Sequence, residues 1–137
     1  MKSRQIFVIL TLLAVCVSAC SSFSSQPDLN GTSWVLTQLR GDPVISTAVP
    51  TLIFADGQAS GNASCNSFGG TYERGFGDAL KFGQMMSTLM ACVDPSAMEQ
   101  ERVYLGILGQ VAKYRVGNDH LYLYDQADRL LAEFKKQ

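Results

Sequence analysis

The chain predicts a small α+β domain, an antiparallel sheet or partly open barrel of about 7–8 strands with one main helix. Three observations carry that expectation. Short apolar or alternating runs recur along residues 33–134, separated by Gly, Asp and Asn. Asp56-Gly57 stands between two extended runs, a strong local hairpin signal. One stretch, 96–112, repeats its apolar residues at helical spacing behind a capping sequence.

Taken in order, residues 33–39 (SWVLTQL) alternate, which puts Trp34, Leu36 and Gln38 on one side of a strand and Val35, Thr37 and Leu39 on the other. Gly41-Asp42-Pro43 ends it. Residues 51–54 form a second strand, which Ala55-Asp56-Gly57 turns into 58–61. The stretch 62–83 is rich in Gly and Ser, with extended pieces at 68–72 and 79–82. Gly69, Gly70, Gly75 and Gly77 suit turns or bulges there. No strand precedes Gly75-Phe76-Gly77 and no helix opens after it, which argues against a phosphate-cradling loop.

Ser96-Ala97-Met98-Glu99 has the form of a capping box, with Pro95 just upstream and Asp94 as a second candidate cap. In the helix that follows, Leu105, Leu108 and Val111 pack on the sheet, and Glu99, Glu101 and Arg102 face water. Residues 112–116, 120–124 and 129–134 complete a meander, turning at Gly117-Asn118-Asp119 and again at 125–128. Leu121 and Leu123 face the core, as do Leu130, Ala132 and Phe134, with Tyr122 and Tyr124 outside. Met85, Met86, Met90 and Met98 read as fillers of core gaps in preference to a soft-metal or adaptable binding surface.

The first residues are an address. Lys2 and Arg4 precede an apolar run at 6–17, too short to span a bilayer core comfortably, and Val17-Ser18-Ala19-Cys20 closes it. The run resembles a bacterial lipobox, so residues 1–19 are expected to be a cleaved signal and Cys20 the lipid-accepting N-terminus of the mature chain. Residues 20–27 are then the lipidated cysteine and a Ser-rich tether, and 28–137 the folded domain. Ser21, where inner-membrane lipoproteins commonly carry aspartate, points to an outer-membrane protein facing the periplasm.

Without the leader, nine Lys and Arg face twelve Asp and Glu, a formal charge of −3 with no basic patch, so nucleic acid has nothing to bind. Cys16 leaves with the signal and Cys20 takes lipid, which leaves Cys65 and Cys92. In an oxidising compartment such a pair most often becomes a disulfide; two buried thiols or half of a metal site are the rival readings. His120 is the chain's one histidine and has no CxxC or HxxxH spacing beside it, so no metal and no cofactor is expected.

Three segments, in order, resemble the META domain family, whose bacterial members include HslJ-like heat-shock lipoproteins. Gly31-Thr32-Ser33-Trp34-Val35-Leu36 looks like that family's opening Gly, Trp and Leu strand. Gly61-Asn62-Ala63-Ser64-Cys65-Asn66-Ser67-Phe68-Gly69-Gly70-Thr71-Tyr72 is similar to its "G-x-x-G-C-N-x-[FY]-x-G-x-Y" run, with Ser64 where a glycine usually precedes the cysteine. Ser87-Thr88-Leu89-Met90-Ala91-Cys92 resembles "[ST]-T-x-M-A-C". Glu101 and Leu121-Tyr122-Leu123 fit the helix and late hairpin that follow. The resemblance implies a small β-rich α+β domain and marks Trp34, Asn66, Phe68, Gly70, Tyr72, Thr88, Met90 and Ala91 as motif residues. It links the chain to heat shock, to antibiotic (novobiocin) tolerance and, in some parasites, to virulence, without an agreed molecular activity.

The expectation for function is therefore a non-enzymatic envelope lipoprotein that sits on the membrane through Cys20 and binds a protein client or an apolar ligand under stress. Asn66 and Thr88 read mainly as structural residues in it. One alternative is a pilot or chaperone for an outer-membrane secretin, which pairs a client segment against a sheet edge or groove. The other is a thiol- or His-dependent periplasmic enzyme, for which His120 lacks an identifiable partner in the sequence.

Overall fold

The computed structural model describes residues 25–137; the leader, Cys20 and the tether up to residue 24 lie outside the described residues. Ten strands and one helix follow in the order β1 (Thr32–Leu39), β2 (Asp42–Pro43), β3 (Thr51–Ala55), β4 (Gln58–Asn62), β5 (Ser67–Arg74), β6 (Leu80–Phe82), β7 (Met86–Ser87), α1 (Pro95–Leu108), β8 (Lys113–Gly117), β9 (His120–Tyr124) and β10 (Leu130–Lys136). All named pairings are antiparallel, and the sheet runs β6-β5-β4-β3-β1-β10-β9-β8. Its two ends meet. Ala79 bridges to Lys113, Leu80 N–H donates to the Ala112 carbonyl and Tyr114 N–H to that of Asp78, so the eight-stranded path is a nearly closed barrel. Two short strands hang off it: β2 on β1, and β7 on β5.

Turn chemistry sets the hairpins. Ala55 pairs with Gln58 across Asp56-Gly57, and Gly117 with His120 across Asn118-Asp119. All four turn residues have positive φ, which matches the twist of the strands they join. Gly70 answers a different need: a Cβ there would come within 2.5 Å of the Gln84 carbonyl oxygen, so only glycine lets residues 83–85 cross close to β5.

Inward residues fill the barrel: Trp34 and Leu36, Leu52 and Phe54, Phe68, Leu80 and Phe82, Tyr114, Leu121 and Leu123, Ala132 and Phe134 are all buried. From α1, Tyr104, Ile107 and Leu108 enter the same core. The Tyr104 ring meets Phe68 and Phe134 edge-on, and its hydroxyl donates to the Thr51 carbonyl at 3.1 Å, which satisfies the one polar atom it buries.

Several expectations need correction. A bulge between Leu36 and Gln38 shifts the register of β1, so Leu39 is buried and Gln38 exposed. A second bulge, between Leu130 and Ala132, buries Leu131 and leaves Leu130 half-buried. Gly69 and Gly70 lie within β5 rather than in a turn. The helix cap is Asp94, whose side chain accepts from Ser96 N–H with Pro95 in the first turn; Glu99 pairs with Arg102 instead of capping. Val111 is buried beyond the helix end, while Leu105 is half-buried.

Candidate functional site

Asn66 follows the tip of the β4–β5 connection and is 4% exposed. Buried amides are costly unless bonded, and this one uses all of its capacity. Its Nδ2 donates to Glu101 Oε1 at 2.7 Å and to the Met90 carbonyl at 3.2 Å. Its Oδ1 accepts from the Thr88 hydroxyl and from Met90 N–H, each at 2.7 Å. Its backbone N–H donates to Glu101 Oε2 at 2.7 Å, its carbonyl accepts from Ala63 N–H, and Cys65 N–H joins Glu101 Oε2 at 3.0 Å. One side chain thus binds the β4–β5 connection, the 88–90 segment and α1 together.

Glu101 was expected to face water, and it does not. It is half-buried and receives those three donors, because the helix register set by Asp94 and Pro95 turns it toward Asn66. Burial alone would raise its carboxyl; the bonds from the Asn66 side chain and from the Asn66 and Cys65 backbones outweigh burial and hold it below the ordinary 4.5. Gln100, also buried, extends the tie. It donates to Ser64 Oγ and the Ala48 carbonyl and accepts from Ile45 N–H.

Cys65 and Cys92 are bonded to each other with Cα atoms 5.8 Å apart, which adds a covalent link beside the polar one. Closing a loop across 27 positions stabilises the fold by about 3.5 kcal/mol in the entropic treatment. Cys65, Cys92 and Glu101 place two sulfurs and a carboxylate oxygen within 4.8 Å of one another, but in the bonded form neither sulfur is the thiolate that a metal takes.

The consequence shows on the surface. Backbone groups of Thr88 and Met90 are held by Ser67 and Asn66, yet Leu89 is 95% exposed, Val93 fully so, and Met86, Met90 and Met98 more than half. The methionines were expected in the core. Of the four, only Met85 packs partly against it, while Met86, Met90 and Met98 are exposed.

The remaining motif residues serve elsewhere. Trp34 and Phe68 are core, Tyr72 packs edge-on against Phe54 at 4.8 Å, Gly70 admits the 83–85 segment, and Ala91 is exposed. His120 has a partner that the sequence did not reveal: Nδ1 lies 2.8 Å from Glu133 Oε1, brought there by the β9–β10 pairing. Tyr122 and Tyr124 are half-buried, with the Arg115 guanidinium 5.0 Å from the Tyr124 ring centre.

Two measurements check the tie. Ser64 holds φ at +131°, a conformation that suits glycine, and its hydroxyl accepts from Gln100. Ser64→Ala and Ser64→Gly both lose that bond, but only glycine relaxes the backbone, so denaturant titration should find the Gly variant more stable than the Ala variant by about 1 kcal/mol. Glu101 has a depressed folded pKa, so the stability it contributes is complete above pH 4.5 and is lost as pH falls through the lower folded value. Unfolding followed from neutral pH down to about pH 3 should therefore show wild type converging on Glu101→Gln as acid is added.

Comparison with known proteins agrees with this architecture. A protein from Burkholderia xenovorans, solved by NMR, is 26% identical with a TM-score of 0.65, over 80% of this chain and 83% of its own. A second NMR structure is 23% identical with a TM-score of 0.63 (78% and 90% covered). A DUF4847 family protein from Bacteroides vulgatus, at 14% identity and a TM-score of 0.57 (78% and 93%), shares the fold. No curated protein matches the chain. The META domain model matches residues 27–137, across both cysteine motifs and the whole barrel, and the chain belongs to the META domain family.

Proposed function

We propose that this META domain is the binding part of a non-enzymatic envelope lipoprotein, tethered through Cys20 to the outer membrane and docking a protein or apolar ligand during heat, envelope or antibiotic stress. The observation that carries the reading is the apolar display along 86–98 on a backbone fixed by Asn66 and the Cys65–Cys92 bond. Exposed Leu and Val side chains on a mobile loop would be unremarkable; on a fixed one they form a surface that loses little entropy when covered. A thiol enzyme fits less well, because both sulfurs are used in their bond.

The anchor is supported by the lipobox-like run ending at Cys20, and by the position of Gln26. Its carbonyl accepts from Arg74 and its side-chain oxygen from Val116 N–H, at the opposite end of β5 from Asn66. A tether leaving there would hold the apolar face away from the anchoring membrane.

Complementation of a deletion strain under heat or novobiocin challenge tests the proposal. Wild type should restore survival. Leu89→Ser/Val93→Ser and Cys20→Ser, each present at normal abundance, should not. Full rescue by the double variant would remove the 86–98 surface from the function.

A further inference from the structure

The free edge of β7 lies beside this apolar display, and from it we infer that the domain takes its partner as an added strand: an extended, uncharged segment of another protein pairing with 85–89. The inference rests on the docking role proposed above and names what docks.

Register makes the argument. β7 pairs with β5 as Phe68↔Ser87 and Gly69↔Met86, and Thr88 N–H donates to the Ser67 carbonyl at 3.0 Å. In an antiparallel ladder the bonded residues alternate. Met86 and Thr88 therefore turn their N–H and C=O toward β5, and Met85, Ser87 and Leu89 turn theirs away. Met90 N–H, bonded to Asn66, continues the same parity. No other strand pairs with β7 among the described residues. An unpaired edge of this kind is a template for a strand from another chain.

Beside that edge runs a groove of about 270 Å³, bounded by Gln84, Met85 and Ser87 on one side and by Leu105 and Gly109 at α1 on the other. Its lining, which includes Gly83 and Met86, holds no charged residue, so the occupant that fits is uncharged there. Leu89, exposed at the end of the edge, is free to meet an apolar side chain of an incoming strand. The groove is walled by the helix. A second copy would bring its own helix to the same gap, so a slim free segment fits where the edge of a folded domain does not.

The test uses the folded domain with labelled amides and two forms of one probe, an uncharged peptide alternating valine and threonine, and the same peptide N-methylated at alternate residues. The plain peptide should shift the amides of Met85, Ser87 and Leu89 and slow their hydrogen exchange. N-methylation of the residues facing β7 should weaken binding by about tenfold or more. Ser87→Pro removes an outward donor only, so it should keep the fold and lose the plain peptide to a similar degree. Equal binding of both peptides, centred on Leu89 and abolished by Leu89→Ser, would overturn strand addition while leaving the apolar docking surface standing. No shift at these amides would overturn the inference, and loss of peptide binding in neither Ser87→Pro nor Leu89→Ser would sink both readings. Concentration-dependent shifts of the same amides without peptide would give the edge to a second copy, and would also overturn it.

Discussion

Asn66 is a buried amide that cannot be left half-satisfied, and that requirement organises the end of the barrel around it. Each of its two donors and two acceptors has a partner, and the partners come from two separate stretches of chain, 88–90 and α1. Removing such a hub strands several polar groups at once, each at about 1–3 kcal/mol. Aspartate in its place would set a carboxylate against Glu101 and lose the amide's donors to Glu101 and Met90. Only an amide, donor on one side and acceptor on the other, meets both the carboxylate and the Met90 backbone.

The neighbouring features follow from this constraint. Glu101 is held in its charged form to receive the hub's donors, and the Cys65–Cys92 bond closes the same junction covalently. With the backbone at 88–90 committed inward, the N–H and C=O groups on the other edge of β7 are left unpaired among the described residues, and Leu89 beside them is exposed. Rigidity and apolar exposure are thus two results of one arrangement. The opposite end of the barrel, where Arg74 meets Asp28 and Gln26, holds the start of the domain.

Much of the fold was legible in the sequence because its determinants are local. Asp56-Gly57 and Asn118-Asp119 dictate their hairpins through backbone conformations that few residues adopt, and the His120–Tyr124 alternation places Leu121 and Leu123 in the core directly. The misplacements of Gln38 and Leu130 come from bulges, which no alternation pattern records. The site was legible only as motif letters. Glu101 reaches Asn66 across 35 positions, and a helical glutamate on a mostly polar stretch carries no local mark of a buried partner. The Asn66 and Met90 letters pointed to the right place, but that Asn66 takes both backbone groups of Met90 and leaves its side chain exposed is not written in them. Composition alone sends methionine to the core.

The most direct measurement is native-state hydrogen exchange of the Met90 amide. It lies between two solvent-exposed neighbours, Leu89 and Ala91, in a segment outside the main sheet, but its hydrogen bond goes to the buried Asn66 oxygen. If Asn66 fixes this segment, the Met90 amide should exchange as slowly as core amides such as that of Leu123, through global unfolding, and Asn66→Ala should release it. Exchange of the Met90 amide at the rate of an unstructured loop in the wild-type protein would contradict the account, because the apolar surface would then be mobile and not preorganised.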